Sequence, residues 1–267
     1  MRLLLFIILV GLNFTAGNLF SQVLSNPISP ASQPNPSYLG VTIGFGQNFQ
    51  SGKMFVDCPG CVFEEGNKFG FTFGIYYEKS IFVEGYLGLD LLYNTSGLKS
   101  SYIENEIVEV KSQEIDFREN VILPFRHTAD LDVSTLSFSP YFKILPFDFM
   151  FFKLGFGYNL ALSSNLKHDK ELLKKEVILS NGTVTKVKLA DTKGYTATVQ
   201  DGEYTELEKS FFTINPSIGF NIPFDEQKNI IFSPWFMYSI PLSAMSKNGE
   251  DFKINGWRIL FSLGFKL

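Results

Sequence analysis

From Tyr38 to the end of the chain, a bulky apolar residue alternates with a small or polar one through one segment after another. Phe69, Phe71, Phe73, Ile75 and Tyr77 are interleaved with Gly70, Thr72, Gly74 and Tyr76. Met150, Phe152, Leu154, Phe156, Tyr158 and Leu160 are interleaved with Lys153, Gly155, Gly157 and Asn159. A period of two is the mark of a β-strand, whose successive side chains point to opposite faces. Six more segments repeat it, beginning near Leu39, Ile81, Leu136, Phe212, Ile230 and Trp257. Just before the Leu136 segment, Leu131 and Val133 fall on the opposite parity, which predicts a bulge or phase change near Ser134-Thr135.

The contrast between the two faces decides what such strands can build. A soluble barrel, such as a lipocalin-type ligand carrier, turns its large apolar residues inward and its charges outward. Here one face carries rows of Phe, Leu and Ile, and the other carries Gly, Ser, Asn and scattered charges. The chain holds 29 Phe and 22 Gly, so bulk and smallness are both plentiful. A narrow ring can enclose small side chains and a few polar ones, but not eight rows of Phe and Leu. The bulky face is therefore expected to look outward into lipid. Each segment is about 10 residues long, enough for a tilted strand to cross hydrocarbon. An even strand number leaves no open edge, which hydrocarbon requires. Pro140, Pro216 and Pro234 lie on the apolar faces and are expected near strand ends or bulges, because each lacks a donor.

The connections alternate in length. Short turns are expected near Glu78-Lys79-Ser80, 145–148 and 223–229, and long loops near 50–68, 94–130, 163–209 and 241–252. This predicts an all-β fold: an eight-stranded antiparallel up-and-down transmembrane barrel with short periplasmic turns and long extracellular loops. Within the longest loop, Asn181-Gly182 is expected to turn a hairpin, and Asp201-Gly202 a second one.

Residues 1–21 read as a secretory signal peptide: Met1-Arg2, the apolar run Leu3–Leu12, then small and polar residues, with cleavage after Gly17 or Ser21. Residues 22–37 form a flexible lead-in rich in Pro, Ser and Asn, and 38–267 the barrel domain. A formal charge of −4 argues against a nucleic-acid binder, which needs a basic stripe. With two His and two Cys, little material exists for a metalloenzyme, and neither a catalytic residue nor a cofactor is expected.

Cys58-Pro59-Gly60-Cys61 is the sharpest local motif. As a redox pair it would belong at a helix N-terminus of a βαβ unit, whereas here it lies between strands. As half of a zinc site it would need two more ligands. His127 and His168 are the chain's two histidines; they fall in other loops, at a spacing that does not suggest such a site. A Cys58–Cys61 disulfide, formed in an oxidising compartment, is the expectation. On the inward parity, Glu84, Asp90, Lys143, Lys153 and Arg258 are expected to pair as a charge network that plugs the lumen.

The last segment places Trp257, Ile259, Phe261, Leu263, Phe265 and Leu267 at every second position to the C-terminus. With the strand number and loop alternation, it resembles the small eight-stranded outer-membrane barrels: the OmpA membrane domain, OmpX, OmpW and PorT-like proteins. The resemblance covers Tyr38 to Leu267. It implies that the terminal strand is an assembly signal read by the barrel-assembly machinery during insertion; most members end in Phe, whereas this chain ends in Leu267. It implies a place in the bacterial outer membrane, after export, surrounded by its lipid. The expected role is non-enzymatic: a surface-exposed structural or interaction barrel whose loops contact an extracellular or envelope protein. The alternatives are a transport channel for small or hydrophobic solutes and, less favoured, a secreted lipocalin-type barrel.

Overall fold

The computed structural model describes residues 36–56, 61–111, 118–189 and 194–267. The expected signal peptide, nearly all of the lead-in, and Cys58 lie outside the described residues. In chain order the described residues form β1 (Ser37–Phe55), β2 (Val62–Phe63), β3 (Gly66–Phe82), β4 (Gly85–Thr95), β5 (Leu98–Lys111), β6 (Arg118–Phe147), β7 (Met150–Leu172), β8 (Glu176–Ile178), β9 (Val184–Lys186), β10 (Thr196–Glu203), β11 (Ser210–Phe220), β12 (Ile222–Pro223), β13 (Ile230–Pro241) and β14 (Gly249–Lys266). No helix among them is long and apolar enough to cross a membrane.

Eight strands form a ring: β1, β3, β4, β6, β7, β11, β13 and β14. Each pairs antiparallel with a neighbour on both sides, and β14 returns to β1 with Leu39 opposite Phe265 and Phe45 opposite Ile259. β2, β5, β8, β9 and β10 sit on the long connections, and β12 on the short one before β13. β5 extends the sheet beside β6, β10 beside β7, and β8–β9 is a separate hairpin.

The bulky parity faces out. Phe69, Phe71 and Phe73 are 56%, 62% and 56% exposed, while Thr72 between them is 2% exposed. The ring is thus inside out relative to a soluble barrel, and the lipocalin-type arrangement does not apply. Along β6 the outward residues Ile144, Phe142, Pro140, Phe138 and Leu136 are apolar, and the same face then continues as Ser134, Asp132, Asp130 and Thr128. Inward, the order reverses. Lys143, Tyr141, Ser139 and Ser137 give way to Val133, Leu131 and Ala129, all buried. Above Leu136 the strand therefore has the polarity of a protein in water.

This reversal explains Leu131 and Val133. β6 keeps one phase throughout, with odd-numbered residues inside. The register against β7 does shift between Ser134 and Thr135, but the extra residue is Leu162 on β7: Ser134 faces Ser163, and Thr135 faces Ala161. Below the bulge the buried β7 residues are odd-numbered, such as Phe151 and Asn159; above it they are even-numbered, such as Ser164, Leu166 and His168.

Three further expectations are corrected. The first short turn is Val83-Glu84 rather than Glu78–Ser80, because β3 runs on to Phe82. Asp201-Gly202 does not turn; it lies inside β10, paired with Lys167 and Leu166 of β7. The Asn181-Gly182 turn does form: Gly182 takes a φ of +81°, which costs glycine little, and Val177 faces Thr185 across the β8–β9 hairpin. The prolines lie mid-strand, not at ends. Pro216 keeps its ladder to Leu154 of β7, but the β11–β13 ladder skips from Ile214 to Ser217. Pro140 pairs with Leu89 of β4 while the β6–β7 ladder skips from Phe138 to Tyr141. In an antiparallel sheet one residue's N–H and C=O point to the same neighbour, so a missing donor opens only that side.

Candidate functional site

The interior has two storeys. The lower one, level with the apolar outer band, is polar. Lys153 donates to Asp90 at 2.6 Å, and Lys143 donates to Glu78 at 2.9 and 3.1 Å; all four side chains are buried. Tyr141 donates to Glu78 at 3.0 Å. Each pair skips a strand: Asp90 is on β4 and Lys153 on β7, with β6 between them. Lys153 also lies 3.8 Å from the Tyr141 ring centre and 4.2 Å from that of Trp235, and Lys143 lies 4.5 Å from that of Phe151. Trp235 donates to Ser262 at 2.9 Å, and Thr42 and Ser262 are 2.7 Å apart. Asn159 and Ser137 are hydrogen-bonded.

Glu84 does not belong to this network. It shares the parity of Asp90, but the chain reverses at Val83-Glu84 before it can face inward, and it is exposed. Glu78 takes its place, contributed by the part of β3 expected to be a turn. Arg258 is buried and has no carboxylate partner among the described residues. It donates instead to Asn48 Oδ1 at 2.6 Å and to the carbonyl oxygens of Thr95 and Trp257 at 3.2 and 3.0 Å. The two interior voids measure about 50 and about 20 Å³, room for a few waters.

The upper storey is dry. Met54, Phe63, Leu98, Leu131, Leu166, Met245 and Phe252 are at most 1% exposed and pack into one cluster across the end of the ring. Farther out, Leu123, Phe125, Leu172 and Val177 form a second cluster, between the β6–β7 extension and the β8–β9 hairpin. Outside, the extension is charged: Lys68 bridges Asp130 and Asp132 at 2.5 and 2.7 Å, and Arg126 meets Glu171 at 3.1 Å.

At the junction of these clusters lie His127 and His168. They are not in loops but on the paired strands β6 and β7, with His127 opposite Lys170 and Ala129 opposite His168. Both face inward, His127 by the phase of β6 and His168 because the bulge at Leu162 re-aims everything above it. His127 Nδ1 and His168 Nε2 are 3.1 Å apart, and Cys61 Sγ lies 4.0 Å from His127 Nδ1. Glu106 on β5 approaches His127 Nε2 at 3.2 Å and accepts from Lys170 at 2.5 Å. Tyr102 stacks on His127 at 4.9 Å, and Phe63 meets His168 edge-on at 5.7 Å. Burial, with His127 alongside, holds the His168 pKa below the usual imidazole value. Burial alone would raise Glu106, but hydrogen bonds from Lys170 and His127 outweigh it and hold the carboxyl below its usual range. Cys61 is disulfide-bonded, while Cys58 lies outside the described residues.

The residues of the expected assembly signal lie on β14. Trp257, Phe261 and Leu263 are partly exposed and Ile259 and Phe265 exposed, all on the outer face; Leu267 follows the strand, its N–H donating to Ser37 at 3.0 Å. Glu78 was missed, and the two histidines were named but placed in separate loops. Glu78 shares the parity of Gly74 and Tyr76, and a longer second segment would have placed it inside.

No protein-family model matches the chain, and no curated protein does. Among solved structures the chain is similar to the Neisserial surface protein A, at 10% identity and a TM-score of 0.40, covering 86% of this chain and 97% of that one. It is similar to Ail, the attachment invasion locus protein of Yersinia pestis, at 10% identity and a TM-score of 0.33, covering 88% of this chain and 100% of that one. The outer membrane protease OmpT of Escherichia coli gives 8% identity and a TM-score of 0.30, covering 90% and 99%. At such scores, what the chain does rests on its own geometry.

Proposed function

We propose that the chain is a bacterial outer-membrane protein: an eight-stranded up-and-down transmembrane barrel, exported by its N-terminal segment, with short periplasmic turns and long extracellular excursions. The observation that carries this reading is the outward apolar band and its sharp upper edge. On β7 it runs from Phe152 to Leu162. At about 3.4 Å per residue and a tilt of ~40°, it is about 26 Å tall, close to the apolar band of such barrels. Where it stops, charge appears outside and Leu and Phe appear inside.

The role is that of a non-enzymatic surface barrel that displays the β5–β6–β7–β10 extension to an extracellular or envelope protein. Two features support a plug over a transport channel: the buried charges hold one another across the lumen, and the dry storey lies above them. Insertion relies on β14 as the signal to the assembly machinery. Two experiments test the proposal. The mature protein fractionates with outer membranes and leaves them only in detergent; recovery in the soluble fraction would sink the membrane reading. In planar bilayers it gives no stable open-channel current, and steady large conductance would sink the plug.

A further inference from the structure

We propose that Cys61, His127 and His168 form a redox-gated binding site for a zinc-class divalent cation. Both histidines of the chain and one of its two cysteines converge here from three separate stretches of sequence. All three are buried, and their donor atoms lie within 4.8 Å of one another. A tetrahedral ion at about 2.0–2.1 Å from each nitrogen separates the two nitrogens by roughly 3.4 Å, and one at about 2.3 Å from sulfur separates sulfur from nitrogen by roughly 3.6 Å. The observed 3.1 and 4.0 Å need only small adjustments.

The surroundings are those of a held ligand set. Glu106 Oε1 sits at His127 Nε2, so the proton stays on that nitrogen and the Nδ1 lone pair points at His168. Lys170 occupies the other carboxylate oxygen, which leaves Glu106 an orienting group rather than a ligand. Tyr102 and Phe63 fix the planes of the two imidazoles. A cleft of about 360 Å³, lined by Cys61, Glu106, His127, His168 and Lys170, gives access.

Cys61 supplies the gate. As a disulfide sulfur it is a poor donor, and the oxidised protein offers two imidazoles. A small dithiol reductant breaks the S–S bond, delivers two electrons and two protons, and leaves as its own cyclic disulfide. The cation then displaces the Cys61 thiol proton to solvent and gains a thiolate, the ligand that zinc-class ions favour over Mg²⁺ or Ca²⁺.

The test uses the full chain folded in detergent, with Co²⁺ as an optical probe and Zn²⁺ as competitor. The reduced protein should show the strong visible bands of a four-coordinate cobalt with a near-ultraviolet sulfur-to-cobalt band. The oxidised protein should lack the sulfur band and bind about tenfold or more weakly. Glu106→Gln should weaken binding by roughly 10–100-fold, and His127→Asn with His168→Asn should abolish it. Because variants in a packed core can misfold, X-ray absorption on the reduced wild-type zinc form provides an independent reading. A first shell with two imidazole nitrogens and one sulfur supports the site. An oxygen-only shell, an unchanged affinity on reduction, or full binding by the double histidine variant overturns it.

Discussion

Lys153 reaches over β6 to place its ammonium 2.6 Å from Asp90, on a strand it does not pair with. The contact runs through the lumen, not along the wall, and both partners are buried. Removing one partner strands the other charge. Asp90→Asn or Lys153→Met alone should therefore cost about 3–5 kcal/mol, while changing both to apolar residues should cost much less. Denaturant unfolding of the four proteins in one double-mutant cycle measures this. Equal losses in the single and double variants would mean that the pair does not hold the ring.

The edge of the outer band should be visible as a depth profile. Phe73→Arg places a charge in the middle of the outward apolar run on β3 and should cost about 2–4 kcal/mol of folding into lipid, against about 0–1 near an interface. Asp132→Arg, on the same face of the wall but above the band, should cost little. Refolding titrations into vesicles give both values, and a similar penalty at the two positions would argue against lipid around Phe73.

The dry upper storey should behave as an ordinary core. Leu131 is fully buried there, and Leu131→Ala should lose about 2–5 kcal/mol. With the charge pairs below left intact, the variant should still fail to conduct. Thermal unfolding and single-channel recording separate the two outcomes.

One acid-sensitive point lies in the β12–β13 turn. Asp225 accepts from the Ile230 and Asn229 backbone N–H groups at 3.0 and 3.1 Å, which holds its carboxyl below the usual value. Its stabilisation is full above the ordinary carboxylate pKa and is lost as pH falls through the lowered one. Melting curves between about pH 5 and pH 2 should fall less steeply for Asp225→Asn than for wild type. Parallel curves would remove Asp225 from the acid response.

How far the sequence spoke depended on which force acted at each residue. Phe71 was legible because bulk on a strict period of two has one good destination. The lower polar storey was legible in outline: Asp90, Lys143 and Lys153 share the inward parity. Glu84 misled because parity says nothing about where a strand stops, and five more residues of β3 put the turn at Val83-Glu84. His168 was hidden for a different reason. Its direction is set by the single extra residue at Leu162, and a bulge leaves its mark on the partner's register rather than on local composition. Pro216 was misplaced because a lost donor was weighed against the whole strand, whereas it opens one side only.

The pairing of β1 with β14 joins the two ends of the described chain, Tyr38 against Lys266. Such a contact is among the most non-local that the described residues make, and loops of that span must close before the pairing repays them. Until β14 is in place, the outer edge of β1 is unmatched and the Phe and Leu rows face water. Folding should accordingly be slow and late-committing, with a long interval in which partly assembled chains are prone to clump. A holding factor that delays collapse, and a surface that presents lipid at the right moment, would be kinetic necessities for this ring rather than conveniences.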